Sequence, residues 1–520
     1  MPDARPPDVL TLHAAAQPGK TAVIDDRPGG EVLRWSYAEL EARANRLARR
    51  MVGLGIRPAE RVIWCGMNSP GVVAVTHAAR KIGATAVPLN YRLSADEAAY
   101  VVDDSDAVLA FVDADHAELF ARIRPRIPKL REVAIYGGAP AAGQLDARDW
   151  LEEGDPSPPD APEATEARTM IYTSGTTGHP KGAVRRGTGD PEQVRALIAR
   201  IGYQPDDVYL TTGPLYHSGP GGFMGVAFAL GNTVVLQRRF DPEDWLRLLE
   251  TYRVTTTFSA PTPIRMVCNL PAEVKARYDR RSMRRMIANA APWSFALKKA
   301  YLADFPADSL YEVYGSTELG VNTILEPADQ LRKPGSCGRP APGVEVRLLD
   351  DEGREVTKPH QPGELFVRSK SVFATYHKAQ EKYEADRRGE FHTVGDVAYF
   401  DEEGFFYICD RKKDMIISGG MNVYPAEIEA VIESHPDVYD VAVIGIPSDE
   451  WGESVHAVVV PRPGASPAPE ALMAYAREHL AGYKVPRSVS FLDELPRTGS
   501  GKILKRVLRE PFWEGHERRV

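Results

Sequence analysis

Tyr172-Thr173-Ser174-Gly175-Thr176-Thr177-Gly178-His179-Pro180-Lys181-Gly182 is the stretch on which the reading of this chain turns. It follows the apolar pair Met170-Ile171. Phosphate binding needs a backbone free to curl, so that successive N–H groups point into one concavity, and glycines permit that curl. The hydroxyls of Thr173, Ser174, Thr176 and Thr177 add donors, and Lys181 supplies positive charge. The spacing is not the Gly-x-x-x-x-Gly-Lys-Ser/Thr of the P-loop. Its reading is a phosphate-binding loop of a different kind.

Outward from the loop, the first 200 or so residues alternate helix signals with short apolar strands. Ser36-x-x-Glu39 reads as a capping box, followed by Leu40, Ala44, Leu47 and Met51 at helical spacing up to Gly53. Arg61 to Cys65 reads as a buried strand. Ser94-x-x-Glu97 opens another helix ahead of the strand-like Val108 to Val112. Such alternation predicts a layered α/β domain with largely parallel sheet. Gly221 to Leu236 reads as a buried helix, a turn and a strand, and the proline-rich Pro156 to Pro162 as a surface loop. After about residue 335 the texture becomes β-rich, with strands at Val344 to Leu349 and Glu364 to Arg368 and a hairpin into Phe405 to Cys409. Beyond Asp410 comes an α+β pattern: a helix from Pro425 towards His435, strands at Val441 to Ile446 and His456 to Val460, and a helix from Pro469 to Leu480. The expected fold class is therefore α/β, a large N-terminal layered domain with a β-rich subdomain, followed by a small α+β C-terminal domain.

Composition narrows the function. At 520 residues the chain holds more than one domain, since compact units take about 100 to 200 residues each. A formal net charge of −8 argues against general nucleic-acid binding, which needs a basic surface. Cys65, Cys268, Cys337 and Cys409 lie far apart with no CxxC pair, which excludes a cysteine metal cluster and a disulfide framework. Met1 to Lys20 lacks the apolar core of a signal peptide, and no run of about 18 apolar residues is present. Glu517-Arg518-Arg519-Val520 is not a peroxisomal address. A cytoplasmic protein without a membrane-spanning segment is expected.

The loop is similar to the signature loop of the adenylate-forming enzymes, which include acyl-CoA synthetases, adenylation domains of peptide synthetases and luciferases. The resemblance continues in order along nearly the whole chain: Tyr314-Gly315-Ser316-Thr317-Glu318, Gly363-Glu364-Leu365, Gly395-Asp396, Asp410-Arg411-Lys412-Lys413-Asp414, Ser418 to Glu427, and Pro496-Arg497-Thr498-Gly499-Ser500-Gly501-Lys502. It implies division into an AMP-binding domain (1–410), a hinge (411–413) and a mobile C-terminal domain (414–520). ATP and AMP would contact Thr173, Ser174, Gly175, Thr176, Thr177, Gly178, Lys181, Tyr314, Gly315, Ser316, Thr317, Glu318, Asp396, Arg411 and Lys502. The resemblance also implies Mg2+ on Thr173 and Glu318, in keeping with the oxygen preference of a hard cation. Asp396 and Arg411 would hold the ribose, and Tyr314 with Ala290-Ala291-Pro292 would frame the adenine by apolar contact. The resemblance implies Thr317, Glu318 and His217 as catalytic residues together with Lys502. Lys502 would be the catalytic cation, offsetting the repulsion between two anions where charge builds up. Lys413 matches the hinge, and Ser418, Gly419 and Gly420 would pass close to the pantetheine arm of coenzyme A. Tyr216, His217, Gly219 and Phe223 would line the acyl pocket, where the small residues Gly219, Gly221 and Gly222 leave room. His217 is either a gate beside the acid or a buried structural histidine.

The expected activity is acyl-CoA synthesis: ATP-dependent adenylation of a carboxylic acid, then thioester formation with coenzyme A, releasing AMP and pyrophosphate. Two departures stand out. Most relatives read Gly-Gly-Ala-Pro where this chain has Asn289-Ala290-Ala291-Pro292, and Phe391-His392-Thr393-Val394-Gly395-Asp396 carries an extra residue before the aspartate. The second feature resembles a branch that activates bulky cyclic acids, so the substrate class spans medium- or long-chain fatty and cyclic acids. An adenylating enzyme with a carrier-protein acceptor and a non-catalytic binding paralogue are the alternatives. Oligomeric state stays open, a homodimer being one option.

Overall fold

The computed structural model describes residues 8–160, 168–173, 180–186, 190–412, 414–497 and 502–514. Two large sheets form the frame. One has nine strands, in the order 339–340, 320–325, 310–316, 285–288, 256–259, 208–211, 233–236, 21–26 and 32–36. The strands from Leu310–Ser316 across to Thr21–Asp26 are parallel, and the edge strands are antiparallel. The other has eight strands, with a parallel core of 61–65, 85–89, 107–113 and 132–136. Helices Tyr37–Gly53 and Pro70–Lys81 lie between the sheets, where they share one apolar cluster with Val23 and Leu236 of the first sheet and Val62 and Phe111 of the second. Separate clusters cover each sheet's outer face. Strand Thr85–Leu89 is buried throughout, which fits the apolar run Ala86 to Leu89 that follows its threonine.

Both expected capping boxes form. Ser36 accepts from the Glu39 amide at 3.2 Å while Glu39 accepts from the Ser36 amide at 2.7 Å, and Ser94 with Glu97 repeats the arrangement. A helix, turn and strand occupy Ser218 to Leu236 as expected. The β-rich texture resolves into a six-stranded antiparallel sheet built on Gly363–Arg368 and Asp396–Phe400.

A fourth, five-stranded sheet gathers Ile416–Ser418, Met421–Val423, Val438–Ser448, Gly452–Pro461 and Ser488–Phe491. The strand read at 441–446 is longer than its apolar run, because Val438–Ser448 pairs along its whole length with Gly452–Pro461. Its helices, Pro425–Glu433 and Pro469–His479, bury Ile428, Ile432 and Leu472 against the sheet. All four cysteines are free thiols. Burial raises every one of them above the ordinary thiol value, Cys268, Cys337 and Cys409 to about 12. Among the described residues no helix is long and apolar enough to cross a membrane.

Candidate functional site

Strand Arg168–Thr173 pairs antiparallel with Lys181–Arg186, and Thr173 stands opposite Lys181. The strands on either side of the glycine-rich stretch are thus neighbours in one sheet. Ser174, Gly175, Thr176, Thr177 and Gly178 lie outside the described residues, as does Lys413.

Thr173 donates its hydroxyl to Glu318 Oε1 at 2.9 Å, and Tyr376 donates to the same oxygen at 3.1 Å. Glu318 is buried, and its carbonyl accepts the Phe373 amide at 2.7 Å. Thr317 shares a 2.7 Å hydroxyl–hydroxyl hydrogen bond with Ser218, while its carbonyl accepts from Arg185. Arg185 also donates to Ser371 O at 2.9 Å, so one guanidinium ties the Thr317-Glu318 peptide to two other segments. Ser316 Oγ accepts the Leu319 amide at 3.1 Å. Gly315 is required by close approach, since a Cβ there would lie 2.1 Å from the Gly320 carbonyl oxygen. Neither Arg185 nor Tyr376 was expected from the sequence. Strand Lys181–Arg186 also carries Lys181 and Arg186, so no pattern singled out Arg185, and none pointed to Tyr376.

The all-oxygen pair Thr173 and Glu318 suits a hard cation. Among the described residues no cluster of three or more His, Cys, Asp and Glu side chains could hold a metal alone, so such a cation needs further oxygens from a bound ligand.

Asp396 and Arg411 are register partners on adjacent antiparallel strands, with Arg411 Nε 3.4 Å from Asp396 Oδ1. Tyr314 donates its hydroxyl to Asp396 Oδ2 at 2.6 Å. Tyr314 therefore does more than the apolar framing expected of it: it fixes the buried carboxylate. Burial and the Asp396 charge hold the Tyr314 phenol well above its ordinary pKa. Burial works against the Arg411 charge, yet Asp396, Asp414 and Glu318 keep its pKa above the usual value. Lys502 arrives from the far end of the chain. Burial, and then the nearby Arg411 charge, lower its pKa, while Asp396 and Glu318 oppose the shift. The last motif of the chain thus lies within electrostatic reach of the earlier ones.

Ala290-Ala291-Pro292 follow the parallel strand Arg285–Ala288. Ala290 has φ +71°, its amide held by the Asn289 side chain, which itself donates to Val313 O.

His217 precedes helix Ser218–Ala229, and its ring lies 4.2 Å from that of Tyr216. Tyr216 is buried against Tyr91, with ring centroids 5.3 Å apart, and its hydroxyl has no hydrogen-bond partner among the described residues. Phe223 stacks on Phe258 at 5.1 Å. The expectation that Gly219 and Gly221 leave open room is corrected here. A Cβ on Gly219 would meet Phe258 Cζ at 2.3 Å and one on Gly221 would meet Leu215 O at 2.8 Å, so both glycines serve close packing. Of the three glycines, Gly222 is the one at which a Cβ would meet nothing within 4 Å.

Ser418 is buried, and Gly419 and Gly420 form a turn with φ +59° and +78°. The Gly419 amide donates to Trp451 O at 2.8 Å, and a Cβ there would lie 2.7 Å from the half-exposed indole. The Arg487 guanidinium lies over the Trp451 ring, 4.5 Å from its centroid, and donates to Ser418 Oγ at 3.2 Å.

The sequence pattern of the AMP-binding enzyme family matches residues 10–377, and that of the AMP-binding enzyme C-terminal domain matches residues 427–502. A feruloyl-CoA synthase from an Amycolatopsis species is 37% identical over 508 residues, 96% of this chain and 97% of that protein. A fatty acid–[acyl-carrier-protein] ligase, ScoC of Streptomyces coeruleorubidus, is 34% identical over 98% of this chain and 97% of its own. Among solved structures, the anthranilate CoA ligase AuaEII in complex with anthranoyl-AMP superposes with a TM-score of 0.87 at 26% identity, covering 97% of this chain and 96% of that one. With the motifs converging in space and the family pattern spanning both parts, the chain belongs to the AMP-binding enzyme family of adenylate-forming enzymes.

Proposed function

We propose that this protein is an AMP-forming acyl-CoA synthetase, activating a carboxylic acid with ATP and transferring the acyl group to coenzyme A. The observation that carries the reading is the placement of Lys502 within electrostatic reach of Glu318, Asp396 and Arg411. In the first step a carboxylate oxygen attacks the α-phosphorus, the bond to the bridging oxygen breaks, and pyrophosphate leaves with the electron pair. Two anions must approach, and an ammonium fixed beside them offsets the charge that builds up. Lys502 fills that role. Asp396, fixed by Tyr314 and Arg411, accepts the ribose hydroxyls. Thr173 and Glu318 would hold Mg2+ together with phosphate oxygens, and that cation would neutralise part of the triphosphate charge.

In the second step the thiolate of coenzyme A attacks the acyl carbonyl and AMP departs with its phosphate. Lys502 must leave for the thiol to enter, so residues 414–520 act as a mobile unit hinged at Lys413. The turn at Ser418-Gly419-Gly420, with exposed Trp451 beside it, is the surface assigned to the pantetheine arm. Tyr216, His217, Phe223 and Phe258 make the acid pocket largely aromatic, and the named relatives include enzymes for aromatic acids. The substrate class is a medium- or long-chain fatty or a bulky cyclic acid, with an aromatic ring favoured by these walls. Transfer to a carrier protein is the second reading, supported by the ScoC relative.

A carboxylate panel with ATP and Mg2+, run with and without coenzyme A, tests the assignment. Pyrophosphate release with thioester from some acids and not others is expected; adenylate without thioester across the panel moves the acceptor to a carrier protein. Lys502→Ala should lower adenylation about a hundredfold or more and largely spare thioester formation from supplied acyl-adenylate. Equal loss of both half-reactions would remove Lys502 from its assigned role.

A further inference from the structure

Arg265 has no part in the site, yet it joins the two halves of the protein. It lies on helix Pro261–Cys268, on the large domain's outer apolar layer. Its Nη2 donates to Glu433 Oε1 at 2.6 Å, at the end of helix Pro425–Glu433. Its Nη1 donates to the Tyr439 carbonyl at 3.0 Å and lies 3.6 Å from Asp440 Oδ1, while the guanidinium sits 5.8 Å from the centroid of the Tyr439 ring. Side chains of Arg265 and Glu433 are only 18% and 19% exposed, so solvent screens the pair weakly.

The same acidic group reaches Lys502. Asp440 binds Arg497 through its other carboxylate oxygen. Arg497 forms an antiparallel bridge with Ile503, and the Leu504 amide donates to Pro496 O at 2.8 Å. Those contacts close the base of the segment that ends in Lys502. Arg265 thus holds, from the large domain, Glu433 and Asp440, and Asp440 in turn holds Arg497, five positions before Lys502.

We propose that Arg265 is a positioning residue that holds the C-terminal domain in the pose with Lys502 in the cleft, biasing the protein toward its adenylation step. The inference rests on the two-step reading above, in which that domain moves between steps. A tie made in one pose and lost in the other shifts the balance by its own free energy. Loosening it disfavours the Lys502-in pose without touching the groups that would serve the thiol step.

The test uses Arg265→Met, which keeps the length of the side chain and removes its charge, and Arg265→Lys, which keeps the charge. Adenylation is followed as single-turnover pyrophosphate release, and the second step as thioester formed from the synthetic adenylate of the best panel acid. Trypsin cleavage after Arg411, Lys412 or Lys413, resolved by fragment mass, reports the hinge without requiring turnover. Arg265→Met should slow adenylation about tenfold, leave the thioester step within about twofold, and speed hinge cleavage with little change in melting temperature. Arg265→Lys should recover part of each effect. Equal loss in both steps, or hinge cleavage like the wild type, overturns the proposal. A wild type inert across the panel would instead count against the two-step function, while hinge cleavage in Arg265→Met still decides the tie.

Discussion

Ala290 is one of six described non-glycine residues with a left-handed φ, and its value is the largest of them. Left-handed φ costs an L-residue about 1–2 kcal/mol relative to glycine, and Ala290 sits at +71° because Asn289 clamps the adjoining peptide to the strand carrying Tyr314. Ala290→Gly removes that cost and returns about 0.4–1 kcal/mol of it to the freer unfolded chain. It should therefore raise stability by up to about 1 kcal/mol, whereas Ala290→Val should lower it, both read by urea unfolding. The departure from Gly-Gly-Ala-Pro was visible in the sequence. Its conformation was not, because the sign of φ there is imposed by tertiary hydrogen bonds. Tyr314 gives the same lesson in reverse: its motif was legible, but its hydroxyl bond to Asp396 spans 82 positions and no local pattern announces it.

Among the elements, the pairing of Gly452–Pro461 with Ser488–Phe491 carries a titratable group. His456 is buried between Ser488 Oγ at 2.7 Å and Ser490 Oγ at 2.9 Å on the neighbouring strand. Burial lowers its pKa below the ordinary 6.5, so the folded domain holds the neutral ring while the unfolded chain accepts a proton more readily. The stability tied to the neutral ring is complete above the unfolded pKa and declines as pH falls below it, toward the folded value. Denaturation midpoints measured from pH 7.5 down to about 5 should drop in the wild type and drop less in His456→Gln. Capped helices and buried strands were the most legible elements, since Ser36, Glu39, Ser94 and Glu97 act within a few residues of one another. The partners of Glu318 were unequally legible: Thr173 was paired with it through the resemblance, whereas Tyr376, 58 positions after it, is brought in only by the fold.

At the scale of the whole molecule, a layered α/β body and an α+β end were readable from alternation and composition. The strand order was not. The first strand of the chain pairs with Thr233–Leu236, a choice made by long crossovers that leave no periodic trace. Placing Lys502 against Arg411 across these parts has a kinetic consequence. With its pKa lowered from the ordinary 10.5, Lys502 loses its charge at a lower pH than a solvated lysine would. Adenylation rate should fall on the alkaline side accordingly, and the thioester step from supplied adenylate should lack that limb. Lys502→Arg should move the limb upward; a limb shared by both half-reactions would assign it to another group.

The four cysteines bear on the same chemistry. An enzyme that makes an activated acyl group beside a thiol acceptor risks spending it on its own sulfur. Here every thiol is held protonated far above neutral pH by burial, and the protonated form is a poor nucleophile. Its own sulfurs are thereby weak competitors for the acyl group against a thiol acceptor that arrives from outside.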